Sequence, residues 1–446
     1  MANKEQFTVY LLFTVLVGAF GGFLFGFHTG VISGALMFLT TSFQLSIADQ
    51  GMVVSIILLG GLAGALLAGP IADRVGRRPT IGLSASMFVF GTLFIVLSNS
   101  YEMILLGRFI NGIGIGVISL SGPLFLAEIS PPRHRGSFVS LFQLAIAIGI
   151  LFSFATDYYF ASSSNWRWMF GVGIFPALFL MLALFFLPET PPWLLKSGLE
   201  ERAIKTLMRL RKDTLWKSQI EAMKSSASTH KHGGWKVLLT PRLRTILIIG
   251  LILSACQQVT GINTVIYYAP TIFEAAGYQS ANSAIVATLL IGTVNTLMTL
   301  VSFWLLAKFG RRILLLVGMF GMGISLIFLS AAFLIKTQLI AGISLFSIMA
   351  YVSFFAFSLG PITWVILSEI FPLKVRSLAM SIAIGVNWIS NYLVSLTFLH
   401  LINFMGTAGT FFFYALICGV SFWFVYRFIP ETKDKTLEEI EADLLK

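Results

Sequence analysis

The hexapeptide Leu-Ala-Glu-Ile-Ser-Pro occupies residues 126–131 and returns as Leu-Ser-Glu-Ile-Phe-Pro at residues 367–372. Glu128 and Glu369 are thus 241 residues apart in a chain of 446 residues. Two further charged signatures recur in the same order: Gly-Arg-Arg at 76–78 and 310–312, and Pro-Glu-Thr at 188–190 and 430–432. This ordered recurrence divides the chain into two homologous halves. In membrane proteins built of two like halves, a small-molecule site usually lies between the halves.

The composition is that of a membrane protein. The chain is 57% hydrophobic and only 11% charged, with a mean hydropathy of +0.88, whereas soluble domains carry about 25% charged residues. Apolar runs of about 20 residues can each cross a bilayer as a helix, and we interpret twelve stretches in this way: 9–38, 52–72, 80–98, 103–127, 137–160, 166–187, 243–273, 281–306, 312–335, 339–367, 376–402 and 407–429.

These runs predict an all-α membrane protein with twelve transmembrane helices in two homologous six-helix bundles. The N-terminal bundle is predicted at 1–188 and the C-terminal bundle at 241–446. Between them, residues 189–240 are polar, and we interpret them as a cytoplasmic linker with short helices.

The formal net charge of +11 raises the question of a nucleic-acid partner. Nearly all Lys and Arg residues, however, fall in the termini and in the loops on one side of the predicted bundles. By the positive-inside rule, both termini and the linker are cytoplasmic, so the basicity reflects topology and no nucleic acid is implied. No Asn-x-Ser/Thr sequon occurs, which favours a bacterial inner membrane as the location of this plasma-membrane protein.

The sequence gives no support for an enzyme, a cofactor or a metal site. We find no phosphate-binding loop of the Gly-x-x-x-x-Gly-Lys type and no His-Glu-x-x-His motif. Acidic residues fall almost entirely in predicted loops, which argues against paired catalytic carboxylates and against a carboxylate-based efflux pump. We therefore predict no catalytic residues, no metal and no cofactor.

The charged signatures resemble those of the sugar porters of the major facilitator superfamily, over nearly the whole chain. The hexapeptide Pro-Glu-Thr-Pro-Pro-Trp at 188–193 is similar to the family's Pro-Glu-Ser-Pro-Arg-Trp, with Pro192 in place of Arg. Ala307 stands where the family has an acidic residue before the second basic turn, so one ion pair between helices is expected to be missing. The predicted gating and structural residues are Asp73, Arg77, Arg78, Glu128, Arg135, Glu189, Arg311, Arg312, Glu369, Arg376 and Glu431.

Uncharged polar residues lie deep within the apolar runs, above all Gln257, Gln258 and Asn263. Amides in hydrocarbon are costly unless partnered, so they are candidates for a binding site. They are neutral and carry both donors and acceptors, which suits the hydroxyl groups of a sugar. In an ideal helix, Gln258 and Asn263 would point about 140° apart. Both can face one ligand only if the helix breaks, and Gly261 and Pro270 are the expected places.

Any single amide could instead join two helices, but several occur at positions that match the family. The resemblance implies sugar-binding roles for most of the predicted set, and Tyr267 joins it from the same polar stretch: Gln143, Gln257, Gln258, Asn263, Tyr267, Asn295, Trp364, Asn387 and Asn391. Asn387 and Asn391 are four residues apart and so share a helix face. Trp364 follows Gly360 and Pro361, a possible hinge, and its indole offers a flat apolar surface with one N–H donor.

His28 departs from the family pattern in the first apolar run. Proton-coupled relatives carry Asp at this position and facilitative ones carry Asn, and the Asp pairs with an Arg that corresponds to Arg108. A nearby guanidinium opposes a second positive charge, so a His–Arg pair is not equivalent to an Asp–Arg pair. His28 is a proton carrier, a neutral hydrogen-bonding residue of a uniporter, or a buried residue of purely structural role. We favour the first because histidine titrates near physiological pH.

The sequence therefore predicts a secondary transporter that moves a monosaccharide, a hexose or a pentose, by alternating access. The favoured mode is sugar–proton symport by a monomer in the lipid bilayer, with His28 and Arg108 in proton coupling. The alternatives are a facilitative uniporter and a sugar receptor that does not transport. Receptors of that kind add a long signalling tail, whereas this chain ends soon after residues 438–440.

Overall fold

The computed structural model describes residues 8–131, 134–210, 220, 238, 240–335, 339–372, 375–433 and 435. The described part of the first half is helical almost throughout, and its membrane-spanning segments are numbered here as spans. Span 1 consists of Val9–Gly30 and Ile32–Phe43, span 2 is Ile47–Val75, span 3 is Arg77–Val96, span 4 is Tyr101–Ile129, span 5 is Arg135–Ala161, and span 6 consists of Trp166–Gly171, Ile174–Ala183 and the 3-10 turn Leu184–Phe186.

The second half repeats this order. Span 7 consists of Pro241–Val259 and Ile262–Ala275, span 8 is Ala281–Lys308, span 9 is Arg311–Ile335, span 10 consists of Ile340–Phe357 and Leu359–Ile370, and spans 11 and 12 are the two parts of Arg376–Phe428. Within the described residues, eleven helical stretches are long and apolar enough to cross a membrane, and the last of them has 51 residues.

That last stretch contains two spans because the chain reverses at Gly406. The backbone there has φ 73° and ψ 169°, which is not helical. Phe398 and Phe411 stand on either side of the reversal, and their ring centroids are 6.3 Å apart, whereas 13 residues of straight helix would span about 20 Å. The predicted twelve spans are therefore present, with the boundary between spans 11 and 12 where the sequence places it.

Two short helices, Pro191–Lys196 and Glu200–Leu210, lie in the predicted linker. The second helix buries Ala203, Leu207 and Leu210, and Thr8 at the start of span 1 donates to its last carbonyl, that of Leu210, at 2.9 Å. Most of the rest of the predicted linker lies outside the described residues, and the domain boundaries stay a prediction.

The two bundles touch in the half of the molecule that is remote from the Gly-Arg-Arg turns. Trp388 in the middle of span 11 lies against Gly61 of span 2 and stacks on Phe25 of span 1, with ring centroids 6.1 Å apart. Farther from the turns, Gly51 lies close to the carbonyl of Leu396. The second helix of span 1 packs against the second helix of span 7. These contacts close the molecule at the end opposite the basic turns.

Candidate functional site

Span 7 is broken at the place where the sequence predicts a break. Its first helix ends at Val259, its second begins at Ile262, and Gly261 between them adopts the left-handed conformation with φ 93° and ψ 12°. This turn brings together two amides that a continuous helix would hold apart, because Asn263 Nδ2 donates to Gln258 Oε1 at 2.6 Å. Glycine occupies the left-handed region without the steric cost that a Cβ atom brings.

The amides form a connected cluster, which we call the amide cluster: Gln257, Gln258, Asn263 and Asn387. Gln258 Nε2 donates to Asn387 Oδ1 at 3.1 Å, and Asn387 Nδ2 donates to Gln257 Oε1 at 2.8 Å. Asn387 Nδ2 also donates to the carbonyl of Ser254 at 3.0 Å. Gln257, Gln258 and Asn387 are buried and Asn263 is partly exposed. Hydrogen bonds between neighbours fix the orientation of each amide, so a ligand that meets Asn263 meets an ordered set of donors and acceptors.

Span 10 supplies the carbonyls that hold Gln257. Its backbone breaks at Ser358, where φ is −116° and ψ is −98°, two residues before the predicted hinge at Gly360 and Pro361. Gln257 Nε2 donates to the carbonyls of Leu359 and Gly360, both at 3.0 Å. Pro361 has no N–H to donate to the carbonyl of Phe357 four residues earlier, which accounts for the break in the helix there. Trp364 lies on the helix that follows and is partly exposed.

A second polar group lies one helical turn along span 11. Asn391 Nδ2 donates to the hydroxyl of Tyr267 at 3.4 Å, and Ser395 donates to Asn391 Oδ1 at 3.1 Å. Asn387 and Asn391 therefore share the face that meets span 7, as expected. Tyr268, two residues before Pro270, has a non-helical φ of −118°. The predicted second irregularity of span 7 is thus a kink at Tyr268.

Gln143 and Asn295 lie on spans 5 and 8, which face each other across the two bundles. Thr296, the neighbour of Asn295, donates to the carbonyl of Ala147 at 3.2 Å. Gln143 lies one turn before Ala147, on the same face of its helix. The side chains of Gln143 and Asn295 are partly exposed and form no hydrogen bonds with the described residues. Their amides therefore remain available to a ligand between the bundles.

The first basic turn is held by ion pairs of the buried Arg77, which we call the first latch. Arg77 donates from Nε to both carboxylate oxygens of Glu128, at 3.1 and 3.0 Å, and from Nη2 at 2.9 Å. Arg77 Nη1 reaches Asp73 at 3.2 Å. Glu189 accepts the backbone N–H groups of Arg77 and Arg78 at 3.0 and 3.2 Å. Burial raises the pKa of Glu189, although these N–H groups act in the opposite direction.

The second latch, Arg311 with Glu369, is looser. Their one ion-pair contact is 3.6 Å long, and Arg311 Nε and Glu369 Oε2 are buried without a partner in the described residues. Ala307 offers no carboxylate, as expected, and its carbonyl accepts from Lys433 Nζ at 3.2 Å. Glu431 repeats the role of Glu189, since it accepts the backbone N–H of Arg311 at 2.8 Å and that of the next residue at 3.2 Å.

The remaining basic residues of the signatures donate to carbonyl groups. Arg135 Nε donates to the carbonyl of Ala127 at 3.0 Å, and Arg376 Nε donates to that of Phe371 at 2.9 Å. Arg312 Nη2 donates to the carbonyl of Tyr426 at 2.6 Å. These contacts attach the start of spans 5 and 11 and the turn before span 9 to the rest of their bundles.

His28 and Arg108 are both buried in the first bundle, but no hydrogen bond joins them. Arg108 turns to span 2, where Nε and Nη2 donate to the carbonyls of Val53 and Val54 at 2.5 and 3.2 Å. The His28 ring stacks on Phe88 with centroids 4.6 Å apart, and neither ring nitrogen has a partner among the described residues. The coupling role of His28 and Arg108 stays a prediction.

Two residues were missed by the sequence reasoning. Asp157 is a carboxylate inside span 5, only 1% exposed, although acidic residues were expected almost entirely in loops. Its position within the apolar run 137–160 was the available signal. Trp388 joins the two bundles through Gly61 and Phe25, and the sequence held no sign of that contact beyond an indole next to Asn387.

The fold and the amide cluster define a membrane transporter of two six-helix bundles. A family model described as sugar (and other) transporter matches residues 14–444, and the chain belongs to this family. The D-xylose transporter of Levilactobacillus brevis is 40% identical over 437 residues, covering 97% of this chain and 95% of that protein. The galactose-proton symporter of Escherichia coli K12 is 35% identical over 448 residues, covering 97% and 94%.

A solved structure agrees with the fold. The xylose transporter XylE from Escherichia coli, in a partially occluded inward open conformation, superposes with a TM-score of 0.86 at 31% identity. The match covers 96% of this chain and all of that chain. The predicted major facilitator fold is confirmed.

Proposed function

We propose that this protein carries a monosaccharide together with a proton across the membrane by alternating access. The observation that carries the proposal is the amide cluster at the break of span 7. Its members are neutral, ordered by one another and located where the second bundle faces the first. A neutral polyhydroxylated ligand can exchange hydrogen bonds with such groups without leaving a buried charge unpaired.

Groups from both bundles complete the proposed site. Gln143 and Asn295 provide amides without partners among the described residues, and Trp364 provides an indole for the apolar face of a sugar ring. The relatives named as D-xylose transporter and galactose-proton symporter support a pentose or hexose as substrate and a proton as the coupled ion.

The closed end of the molecule supports alternating access. At the end opposite the basic turns, Gly51 lies close to Leu396, and the second helix of span 1 packs against the second helix of span 7. By the positive-inside rule the basic turns face the cytoplasm, so the closed end is the outer one. We propose a bacterial inner membrane as the location, both termini in the cytoplasm, and a single chain in the bilayer as the transporting unit.

Facilitated diffusion is the second candidate, and one observation favours it. His28 stands where proton-coupled relatives are expected to have an acid, and its ring nitrogens have no partners among the described residues. Under this alternative the sugar would equilibrate across the membrane, but it would never accumulate.

The deciding measurement is uptake by purified protein in proteoliposomes, with equal sugar on both sides and an imposed pH gradient. A panel of radiolabelled pentoses, hexoses and polyols identifies the substrate by competition. Accumulation that a protonophore abolishes is the expected result. Equilibration without accumulation over a range of pH would refute symport and leave the uniporter, and absence of any uptake or exchange would refute sugar transport.

The site itself is tested by Gln258→Ala. We expect sugar binding to fall between about fivefold and about 150-fold, because the change removes the Gln258 partner of Asn263 Nδ2 and of Asn387 Oδ1, at a cost of about 1–3 kcal/mol. Gln50→Ala is the matched control, since Gln50 donates to the carbonyl of Leu45 at the outer end of span 2. Normal binding by a well-expressed Gln258→Ala variant would dismiss the assigned site.

A further inference from the structure

We propose that Asp157 of span 5 is the proton-binding residue of the transport cycle, and that its proton controls the outer helix of span 1, Ile32–Phe43. The inference rests on the proposed symport. It adds the identity of the proton site and the moving element to which that site is attached.

Asp157 lies at a junction between two helices. Its Oδ2 atom accepts the backbone N–H of Gly34, in the outer helix of span 1, at 3.0 Å. Its Oδ1 atom is buried and has no partner among the described residues. The absence of a side chain at position 34 permits the approach, because a Cβ atom there would lie 2.6 Å from that of Asp157.

The charged groups around Asp157 leave it without a cation in the described structure. Ile32–Phe43 contains no titratable residue. Arg167 of span 6 is engaged elsewhere, since it donates to the carbonyls of Val96 and Ser98 at 3.2 and 2.8 Å. Lys308 lies at the opposite end of span 8, and the ring nitrogens of His28 in span 1 form no hydrogen bond to any part of the chain that the structure describes.

A buried carboxylate without a cation is costly, whereas the neutral acid is tolerated far better. The closed outer end therefore suits Asp157 with its proton bound. A conformation that admits water between spans 1 and 5 suits the ionised carboxylate. Proton binding thus shifts the population between two arrangements of the same helices, which is the condition for coupling. Ionisable residues within membrane spans commonly mark such proton sites.

The outer helix of span 1 connects this junction to the proposed sugar site. Ile32–Phe43 packs against Ile262–Ala275, the helix that begins one residue before Asn263 and carries Tyr267. A displacement of the outer helix of span 1 would therefore reach the residues that meet the sugar. The His28 ring lies instead between Phe88 and Gly173 inside the first bundle.

Asp157 could instead be a fixed brace for the Gly34 N–H, and an Asn at this position separates the two roles. The Asn side chain still accepts that N–H through its carbonyl oxygen, but it cannot bind or release a proton. If Asp157 only holds Gly34, Asp157→Asn should keep proton-coupled transport. If Asp157 binds the proton, Asp157→Asn should lose the coupling.

The test compares wild type, Asp157→Asn and Asp157→Glu in proteoliposomes, with radiolabelled D-xylose or D-galactose, whichever the wild type transports. Glu102→Gln is the matched control, because Glu102 is an exposed carboxylate at the same end of the bundle. With about one pH unit across the membrane and one proton per sugar, wild type can accumulate sugar about tenfold. Asp157→Asn is expected to equilibrate sugar only and to show no sugar-dependent proton uptake, yet to retain sugar counterflow.

Each outcome of this comparison either supports or overturns the proposal. Sugar-dependent proton uptake by Asp157→Asn at the wild-type level would overturn the proposal. If His28→Asn then loses this proton uptake, the proton is assigned to the imidazole instead. If Asp157→Asn also loses counterflow, the pH profile of sugar accumulation by Asp157→Glu is measured. A profile shifted from that of wild type supports the proposal, and an unchanged profile overturns it. Absence of coupled proton uptake in wild type would refute symport itself, and that result is distinguishable from failure of the Asp157 assignment alone.

Discussion

The break at Gly261 should be the point at which one methyl group does most damage to the proposed site. Gly261→Ala places a Cβ in the left-handed region, at a cost of about 1–2 kcal/mol. That Cβ would lie 2.9 Å from Cδ1 and 3.1 Å from Cε1 of Tyr414, a ring only 2% exposed. Crowding of this kind adds about 1–3 kcal/mol, so the total is about 2–5 kcal/mol.

The chain offers a matched control for this substitution. Gly277 also has a positive φ, 94°, but among the described residues a Cβ there meets only Ile340, at 4.0 Å. Gly277→Ala should therefore cost only the backbone contribution of about 1–2 kcal/mol. Relief of strain in Gly261→Ala would also rotate Asn263 away from Gln258, and a loss of about 1.4 kcal/mol of binding energy weakens affinity tenfold.

Thermal inactivation of sugar binding in detergent, followed by equilibrium binding of the radiolabelled sugar, measures both effects. We expect Gly261→Ala to have the lower inactivation midpoint and at least about tenfold weaker binding, and Gly277→Ala to bind normally. Equal midpoints for the two variants, together with normal binding by Gly261→Ala, would refute the argument that this left-handed turn and its contact with Tyr414 assemble the site.

Two further predictions concern the framework. Arg77→Ala should lower the midpoint of thermal inactivation more than Arg311→Ala, because it removes three hydrogen bonds to the partly buried Glu128 carboxylate, each worth about 1.5–3 kcal/mol when a charged group takes part. The single long and partly exposed pair of Arg311 is worth about 0–1 kcal/mol. Equal shifts would contradict the assigned difference between the latches. Trp388→Ala removes the contacts of Trp388 with Gly61 and Phe25 that join the two bundles, so it should favour the outward-open state and increase labelling of a cysteine placed at Ser33 by an impermeant maleimide. Unchanged labelling would count against a role of Trp388 in closure.

Local features of the sequence were sufficient to predict much of the fold. Apolar runs of bilayer length can satisfy their backbone hydrogen bonds only as helices, so the twelve spans were predictable. The breaks at Gly261 and near Pro270 were also predictable from local properties. Glycine can adopt a positive φ, and proline lacks the N–H that a helix needs. The absence of a carboxylate at Ala307 predicted that one ion pair between helices is missing at the second basic turn.

Contacts between distant elements could not be predicted in this way. The sequence places an Arg and a His in the first bundle, but only the packed structure turns Arg108 to the carbonyls of Val53 and Val54 and leaves His28 among aromatic rings. The partner of Asp157 is 123 residues away at Gly34, and no periodicity relates the two.

The division between sequence and structure has a physical reason. Hydrophobicity, repeated turns and residue-specific backbone limits act within a few residues, so the sequence by itself determined the helices, the two halves and the family signatures. Hydrogen bonds such as those from Gln257 to Leu359 and Gly360 depend on how whole helices pack against one another. The tertiary structure alone decided which buried polar groups meet and which end of the molecule is closed. It also decided which buried polar atoms lack a partner among the described residues, as Asp157 Oδ1 does.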